Sequence, residues 1–419
     1  MLHNNHGVSL RPFPHPFRAA LALCSDVDGC TPEVFRAVHR YLNDPARGLG
    51  LPVADSFFPR GREPGQLAFY LPDGLTPGPH AGLILAALKT GLIDALHSWG
   101  DFNGAPPDPR ALRALAEDLT RRLTAAGLKV PVWINHGDAH NYQNLSARLQ
   151  DGYQGDDPAS PWYTVDLARR LGMRFAWCSE LVPWPLSPHR PRRLTLFTRV
   201  GINSLKNFIK IFIGQKNQRR RAVSLLELAE PLALRDGSRL LVFNRFNRHP
   251  AGLWARPGRH TLRYALAPEV LADLIRQEGF LIVYTHLGLP REGELFLEPD
   301  REAVENLAGH YRRGEVWVAP TSRLLTFWLV RRHLLWQVEA EGERLVIHLK
   351  ALEDPLSGYR VPQPEELAGL AFYSPRPEAT VVRLYGRDLP AAPFPPDHTG
   401  CGGVGLPLPP PPELPPEVA

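Results

Sequence analysis

The amino-acid sequence predicts a mixed α/β protein in which a (β/α) barrel is followed by a small antiparallel β domain. Between about residues 17 and 320, a short apolar run, a polar loop and a stretch of helical spacing recur about seven or eight times. No glycine-rich dinucleotide-binding or phosphate-binding turn follows the first apolar run. A barrel is therefore favoured over a doubly wound open sheet, which stays as the alternative.

The predicted strands and helices alternate along this part of the chain. Strands are predicted at residues 18–25, 67–71, 93–98, 130–135, 174–178, 240–245, 281–285 and 316–319. Helices are predicted at residues 32–42, 81–89, 109–126, 165–171, 268–278 and 301–313. Several begin at a proline and stop before a glycine, which are the usual start and stop signals of a helix. The carboxyl ends of the barrel strands should then converge on one mouth.

The pattern changes near residue 334. Alternating apolar and polar runs at 335–338, 344–350 and 380–385 predict short antiparallel strands. From residue 389 onward proline and glycine dominate, which predicts an extended or disordered tail. The sequence thus predicts a barrel domain at 1–333, a β-rich domain at 334–388 and a tail at 389–419.

Composition and charge exclude several classes of protein. The 48 Lys and Arg residues are almost matched by 43 Asp and Glu, and a net charge of +5 does not indicate a nucleic-acid partner. The four cysteines show no CxxC spacing and are interpreted as reduced thiols. Neither a signal peptide nor an apolar run of the ~18 residues needed to span a membrane is visible. A cytoplasmic protein without a transmembrane segment is expected.

A stretch at residues 206–221 combines an apolar cluster with several lysines and arginines. We interpret it as an insertion whose apolar face packs on the barrel and whose charges are solvated. Peripheral contact with an anionic membrane surface is the less favoured alternative.

Carboxylate and imidazole groups recur at the exits of predicted strands. Asp26 and Asp28 follow the first strand, His97 and Asp101 follow the third, and His286 ends a nearly all-apolar strand. Alone, each of these motifs is more typical of a capping turn or a hydrogen-bonded histidine. Because the strand ends of a barrel converge, these separate segments are expected to meet, where they can bind a cation and transfer protons.

Further polar and aromatic residues occupy the same position on neighbouring strands. His136, Asp138 and His140 lie in one turn after the fourth predicted strand, and Trp177 and Arg245 lie at the ends of two others. We expect these five residues to contact the substrate or to orient the metal ligands. The indole ring of Trp177 either stacks on a sugar ring or fills the core.

The order of these residues resembles that of the NodB-type polysaccharide deacetylases, metal-dependent hydrolases on a distorted (β/α) barrel of about seven strands. Asp26 and Asp28 match the paired aspartates of the family in a spaced form, which implies Asp26 as catalytic base and Asp28 as metal ligand. His97 matches the first histidine of the His-Ser/Thr-x-x-His metal motif, and His286 matches the histidine that protonates the leaving group. The resemblance covers about residues 18–288 and implies removal of an N-acyl group from a sugar or polysaccharide.

The sequence departs from the family at two places. Asp101 stands where the family has its second metal histidine, and residues 133–137 replace an Arg-x-Pro-x-Gly segment that steadies the base. The resemblance implies a divalent ion held by Asp28, His97 and Asp101, with zinc expected first and manganese, iron or cobalt as alternatives. A competing assignment makes His136 or His140 the third ligand and leaves Asp101 to orient His97.

Two other functions stay open on the sequence alone. The same metal chemistry acts on a non-sugar amide or a cyclic imide in branches that share the spaced aspartate form. Alternatively, a barrel with a degraded metal site binds a glycan or a protein without catalysis. The expected ligand is therefore a carbohydrate or a small amide, and the absence of a basic stripe with interleaved aromatics disfavours nucleic acid.

Overall fold

A computed structural model describes residues 6–102, 104–137, 140–146, 152–187, 224–289 and 293–419. The basic stretch at 206–221 and Asp138 lie outside the described residues. The helices are α1 (Pro32–Asn43), α2 (Ala81–Thr90), α3 (Pro109–Ala125), α4 (Val165–Arg170), α5 (Leu262–Ala265), α6 (Pro268–Arg276), α7 (Glu298–Arg312), α8 (Thr321–His333) and α9 (Pro364–Leu367). Among them, none combines the length and the apolar character that a bilayer crossing needs.

The strands fall into an N-terminal and a C-terminal set. The first set is β1 (Ser9–Leu10), β2 (Ala19–Ser25), β3 (Asp55–Arg60), β4 (Ala68–Tyr70), β5 (Ile93–His97), β6 (Val132–Ile134), β7 (Phe175–Trp177), β8 (Leu181–Val182), β9 (Ala229–Ala233), β10 (Arg239–Phe243), β11 (Arg245–Phe246), β12 (Phe280–Thr285) and β13 (Val316–Val318). The second set is β14 (Leu334–Glu341), β15 (Arg344–Asp354), β16 (Gly358–Arg360), β17 (Ala371–Tyr373), β18 (Thr380–Leu384), β19 (Arg387–Asp388), β20 (Ala392–Phe394) and β21 (Gly403–Gly405).

A curled sheet forms the centre of the molecule, and it confirms the predicted mixed α/β class. Its path runs β8–β11–β12–β2–β3–β5–β6–β7–β10–β9, and within this path only β9 is antiparallel to its neighbour. The chain passes from β7, near one end of the path, into β8 at the other end, and likewise from β10 into β11. The sheet therefore curls into a half-barrel, which is consistent with a distorted barrel.

Strand β2 shows why the sequence folds this way. It pairs with β12 on one side and with β13 and β3 on the other. All seven of its side chains are buried, because its alternate residues pack into two apolar cores, one on each face of the sheet. A nearly continuous apolar run is the usual signature of a parallel strand covered on both faces. Helix α1 follows directly and is capped by Thr31, whose hydroxyl accepts a hydrogen bond from the Val34 N–H at 3.3 Å.

Strand β3 and helix α8 are among the elements that the sequence did not predict. Strand β3 lies between β2 and β5, but its apolar residues are interspersed with Asp55, Ser56 and Pro59, so they form no apolar run. The strand predicted at 67–71 is β4, which pairs with β3 outside the main path. Helix α8 buries side chains all around its axis and so lacks the polar face that would mark an amphipathic helix. Its contacts with β2 and β5 place it against the curled sheet.

The C-terminal strands form two further sheets. One contains β14, β15, β16, β18 and β19, and the other has the order β1–β17–β21–β20. Strand β1 therefore joins the C-terminal strands although it belongs to the N-terminal end of the chain. Ile347 and Val382 lie in the same apolar core as Ala22 of β2 and Trp317 of β13, so one core joins the curled sheet to the C-terminal strands.

The segment predicted to be an extended or disordered tail differs from that expectation. Residues 389–419 contribute β20 and β21 to the four-stranded sheet, and Phe394, Val404 and Val418 are buried. These few apolar residues, spaced among prolines and glycines, give the segment enough buried surface to pack on the rest of the molecule.

Candidate metal centre

The curled sheet brings the predicted carboxylates and imidazoles together at one edge. Asp26 and Asp28 follow β2, His97 is the last residue of β5, His136 follows β6, and His286 follows β12. These strands are parallel, so their carboxyl ends share an edge of the sheet. All five side chains are buried.

Asp28, His97 and His136 form one candidate ligand group, in which each offers an atom within 4.8 Å of the others. Asp28 Oδ1 lies 3.4 Å from His136 Nδ1, and Asp28 Oδ2 lies 3.5 Å from His97 Nδ1. The Nε2 of His97 is 3.3 Å from the Nδ1 of His136. Tetrahedral coordination with bonds of about 2.0–2.2 Å separates ligand atoms by about 3.3–3.6 Å. The contacts of His136 Nδ1 with Asp28 Oδ1 and with His97 Nε2 fall in this range, and one donor atom from each of the three residues lies within 4.8 Å of the others.

The protonation states of His97 and Asp28 suit a cation. Burial opposes protonation of His136, but Asp101 and Asp28 outweigh it and raise the pKa of that imidazole, so His136 must give up a proton when it binds a metal. Burial lowers the pKa of His97 to about 4, which leaves its imidazole neutral at neutral pH. Burial opposes ionisation of Asp28, but the surrounding imidazoles outweigh it and hold the pKa of that carboxyl well below its usual value. Asp28 Oδ2 and His97 Nδ1 are buried without a hydrogen-bond partner. A neutral imidazole and an ionised carboxylate are the forms that bind metal.

Asp101 lies behind His136 rather than within the ligand group. Its Oδ1 is 3.3 Å from His136 Nε2, on the far side of the ring from the nitrogen that faces Asp28. Among the described residues, the candidate ligand groups include neither Asp101 nor His140. This geometry favours His136 as third ligand, and it places Asp101 where it orients His136 instead of His97.

Arg245 anchors Asp26. Its Nη1 and Nη2 donate to the two carboxylate oxygens at 2.5 and 3.1 Å, and the guanidinium is fully buried. It lies between aromatic rings, 3.4 Å from the centroid of Trp177 and 4.1 Å from that of Tyr284. Burial opposes ionisation of Asp26, but the charge and the hydrogen bonds of Arg245 outweigh it, so the pKa of Asp26 is lowered. Trp177 thus supports Arg245 and is itself buried.

His286 lies on the other side of the two aspartates. Its Nε2 is 3.5 Å from Asp28 Oδ2 and 3.9 Å from Asp26 Oδ2. Its Nδ1 is 2.6 Å from the Pro257 carbonyl oxygen, which can only accept a hydrogen bond. Nδ1 therefore carries a proton and donates it to the carbonyl, while Nε2 faces the carboxylates.

A set of buried amides holds the His136 loop in place, and sequence reasoning missed its role. The His136 N–H donates to Asn144 Oδ1 at 3.1 Å, and Asn144 Nδ2 donates to the His136 carbonyl at 2.5 Å. Asn135 Oδ1 accepts from the Leu145 N–H at 2.9 Å. The density of Asn and Gln between residues 135 and 144 was the available signal.

Aromatic packing by Phe58 orients the imidazoles of His97 and His136. The ring of Phe58, on the unpredicted strand β3, stacks on His97 with centroids 4.6 Å apart and an interplanar angle of 13°. The same ring meets His136 edge-on at 5.1 Å. Phe58 thereby fixes the relative orientation of two candidate ligands.

No protein-family model matches the chain, and no solved structure matches it at a significant level. The resemblance to NodB-type deacetylases therefore stays a prediction from the residues themselves.

Proposed function

We propose that the chain is a metal-dependent hydrolase that removes an N-acyl group from a sugar or polysaccharide, on a distorted barrel of about seven strands. The observation that carries the proposal is the placement of three candidate ligands, Asp28, His97 and His136, directly beside Asp26 and His286. A ligand set, a carboxylate to accept a proton and an imidazole to donate one are what such hydrolysis requires.

Asp28, His97 and His136 would hold the ion. Two imidazoles and one carboxylate are a common zinc ligand set that leaves coordination positions open, so zinc is the first choice over manganese, iron or cobalt. When bound, a divalent ion polarises an acyl oxygen and lowers the pKa of water from about 15.7 towards about 7.

Asp26 serves as the base in this proposal. Its two oxygens accept hydrogen bonds from Arg245, which fixes the carboxylate and keeps it ionised. Each carboxylate oxygen retains a further lone pair for a proton from the attacking water. Because Asp26 is held in one orientation, it does not need to reorganise during proton transfer.

His286 serves as the acid. The Pro257 carbonyl holds Nδ1–H, so the proton on Nε2 is the one available for transfer. As the bond between the acyl carbon and nitrogen breaks, that proton moves to the departing amine, while Asp26 keeps the proton taken from water. The acyl group leaves as a carboxylic acid.

The two departures from the family compensate each other in this scheme. His136 lies in the segment where the family has its arginine, and it takes the ligand role expected of residue 101. Arg245, on β11, takes over the support of the base from a different strand. We infer a rearranged site rather than a degraded one.

The test is acetate release from N-acetylglucosamine oligomers by the full-length protein. We expect activity with zinc, loss after chelation and recovery when zinc is restored. D26N should keep its zinc and lose at least about 100-fold in kcat, since general base catalysis contributes about 10²–10⁴-fold. Hydrolysis of succinimide without acetate release would replace the sugar substrate with a cyclic imide. Inactivity of the zinc-loaded protein on both compounds and on acidic N-acetylated sugars would contradict the proposal.

A further inference from the structure

The side chain of Arg256 lies beside Asp28 of the candidate metal centre, and it has no part in the proposed hydrolysis. Its Nη2 is 3.5 Å from Asp28 Oδ1, and the side chain is 52% exposed. Within the part of the chain that the structure describes, its guanidinium makes no other ion pair. Arg256 is thus a partly solvated cation directly beside a candidate metal ligand.

A bound cation would change the partner that Arg256 needs. Asp28 would share its negative charge with the ion, so its attraction for Arg256 would fall. Asp26, Asp28 and Asp101 together do not balance a divalent ion plus the guanidinium groups of Arg245 and Arg256. The loaded centre would therefore present excess positive charge to solvent, which favours an anionic ligand.

The loop that carries Arg256 is held in a fixed conformation. Asn247, which is 2% exposed, donates from Nδ2 to the carbonyls of Leu253 and Ala255 at 2.7 and 2.8 Å. Its Oδ1 accepts from the His249 N–H at 3.1 Å. On the other side of Arg256, the Pro257 carbonyl bonds to His286. Hydrogen bonds therefore hold the backbone on both sides of Arg256.

The same loop exposes a large aromatic side chain. Trp254 is 53% exposed, although indole rings are usually well buried. An exposed indole presents a flat apolar face of the kind on which a sugar ring stacks. Because Trp254 precedes Arg256 by two positions in the sequence, a ligand that engages both side chains would combine a ring with a negative charge.

We propose that Arg256 binds a carboxylate or phosphate group of the substrate, so that the substrate is an acidic rather than a neutral N-acylated sugar. This inference rests on the proposed function and names its substrate class. The guanidinium offers paired N–H donors that match either anion in a bidentate fashion. The anionic group would lie close to the acyl group being removed, because Arg256 contacts the metal ligand Asp28.

The test compares acidic and neutral probes on the zinc-loaded, full-length protein. The probes are N-acetylmuramic acid for a carboxylate, N-acetylglucosamine 6-phosphate for a phosphate, and N-acetylglucosamine as the neutral reference. We expect wild type to prefer at least one acidic probe in kcat/KM. R256Q should reduce that preference about tenfold to a hundredfold, mainly through KM, and R256K should retain part of it.

R248Q is the matched control. Arg248 lies on the same loop and is 47% exposed, but it pairs with Glu269 at 3.2 Å instead of with the metal centre. R248Q should keep the wild-type preference. An equal loss on acidic and neutral probes in R256Q would assign Arg256 to the reacting atoms and overturn the inference, as would a wild type without preference.

Failure of the proposed function would be distinguishable from failure of this inference. If the zinc-loaded protein releases no acetate from any probe, the deacetylase proposal fails. Calorimetric titration of the same acidic probes into wild type and R256Q then tests whether Arg256 binds the anionic group. Binding by wild type that weakens at least about tenfold in R256Q supports the anion site, and equal binding by both proteins overturns it.

Discussion

Arg245 and Asp26 form a buried ion pair between residues far apart in the chain. The guanidinium is fully buried between two aromatic rings and donates to both oxygens of Asp26. Removing one member of such a pair leaves an uncompensated charge in a dry environment. This contact therefore serves stability as well as the orientation of the Asp26 carboxylate.

R245M should destabilise the protein by about 3–5 kcal/mol, because the Asp26 carboxylate loses its counter-charge. The double variant D26N/R245M should recover part of that loss, since no buried charge remains unpaired. Urea unfolding of wild type, both single variants and the double variant measures this coupling. Strictly additive losses would show that the pair contributes nothing beyond packing.

His39 gives the stability a dependence on pH that is separate from the metal centre. It is fully buried in α1, where its Nδ1 lies 2.9 Å from Asn43 Oδ1, and burial lowers its pKa to about 4. As pH falls below about 6.5, the unfolded chain gains a proton at His39 that the folded protein does not accept. Stability from this group is thus present above pH 6.5 and is lost towards pH 4.

H39Q should be less sensitive to acid than wild type. Between pH 7 and pH 5, wild type should lose about 2 kcal/mol of unfolding free energy more than H39Q does, because one pKa unit corresponds to about 1.4 kcal/mol. Urea unfolding of both proteins across this range is the measurement. Parallel pH profiles for the two proteins would contradict the assignment.

At the scale of elements, the loop after β6 positions the candidate ligand His136 through side-chain amides, which replace regular secondary structure there. Asn144 bonds to both the N–H and the carbonyl of His136, and so fixes the backbone of that residue. Such groups act on a metal through the ligand that they position.

N144A should lower zinc affinity about 10- to 100-fold, the usual effect of losing a group that orients a ligand. N43A is the matched control, because Asn43 is also buried and donates to the Val53 carbonyl at 2.8 Å, away from the centre. Both variants should be destabilised, but only N144A should bind zinc more weakly in a competition titration with a chelator. Equal zinc affinities would show that Asn144 is structural only.

The elements also show which parts of the fold a sequence can predict. Strands such as β2 and β12 are apolar runs with polar exits, so their positions follow from hydrophobic pattern alone. Strand β3 and helix α8 escape that approach, because one carries polar residues and a proline and the other is buried on every face. Hydrophobic pattern predicts a strand from an uninterrupted or alternating apolar run and a helix from a single apolar face, and neither β3 nor α8 has such a pattern.

At the scale of the whole molecule, the sequence predicts the kinds of residue in the candidate site better than their pairing. Strand exits correctly indicated that Asp26, Asp28, His97 and His286 would lie together. The choice of His136 over Asp101 depends on loop conformation, and the contact of Arg245 with Asp26 spans 219 positions. Neither is encoded in a local pattern, so neither can be predicted from motifs alone.

The C-terminal segment likewise depends on long-range structure. Its composition predicts disorder, yet Val418 is fully buried and Arg40 donates from Nε to the Val418 carbonyl at 2.7 Å. Partners supplied by α1 order a segment that has little structure of its own. Composition predicts whether a segment is ordered in isolation, but it does not predict the contacts that the rest of the molecule makes with that segment.

The metal content of the full-length protein and two variants tests most directly whether Asp28, His97 and His136 bind a divalent ion. After equilibration with zinc and removal of free ion, elemental analysis should give about one equivalent for wild type and for D101N, and almost none for H136Q. Less than about 0.3 equivalents in wild type, or undiminished binding by H136Q, would contradict the assignment.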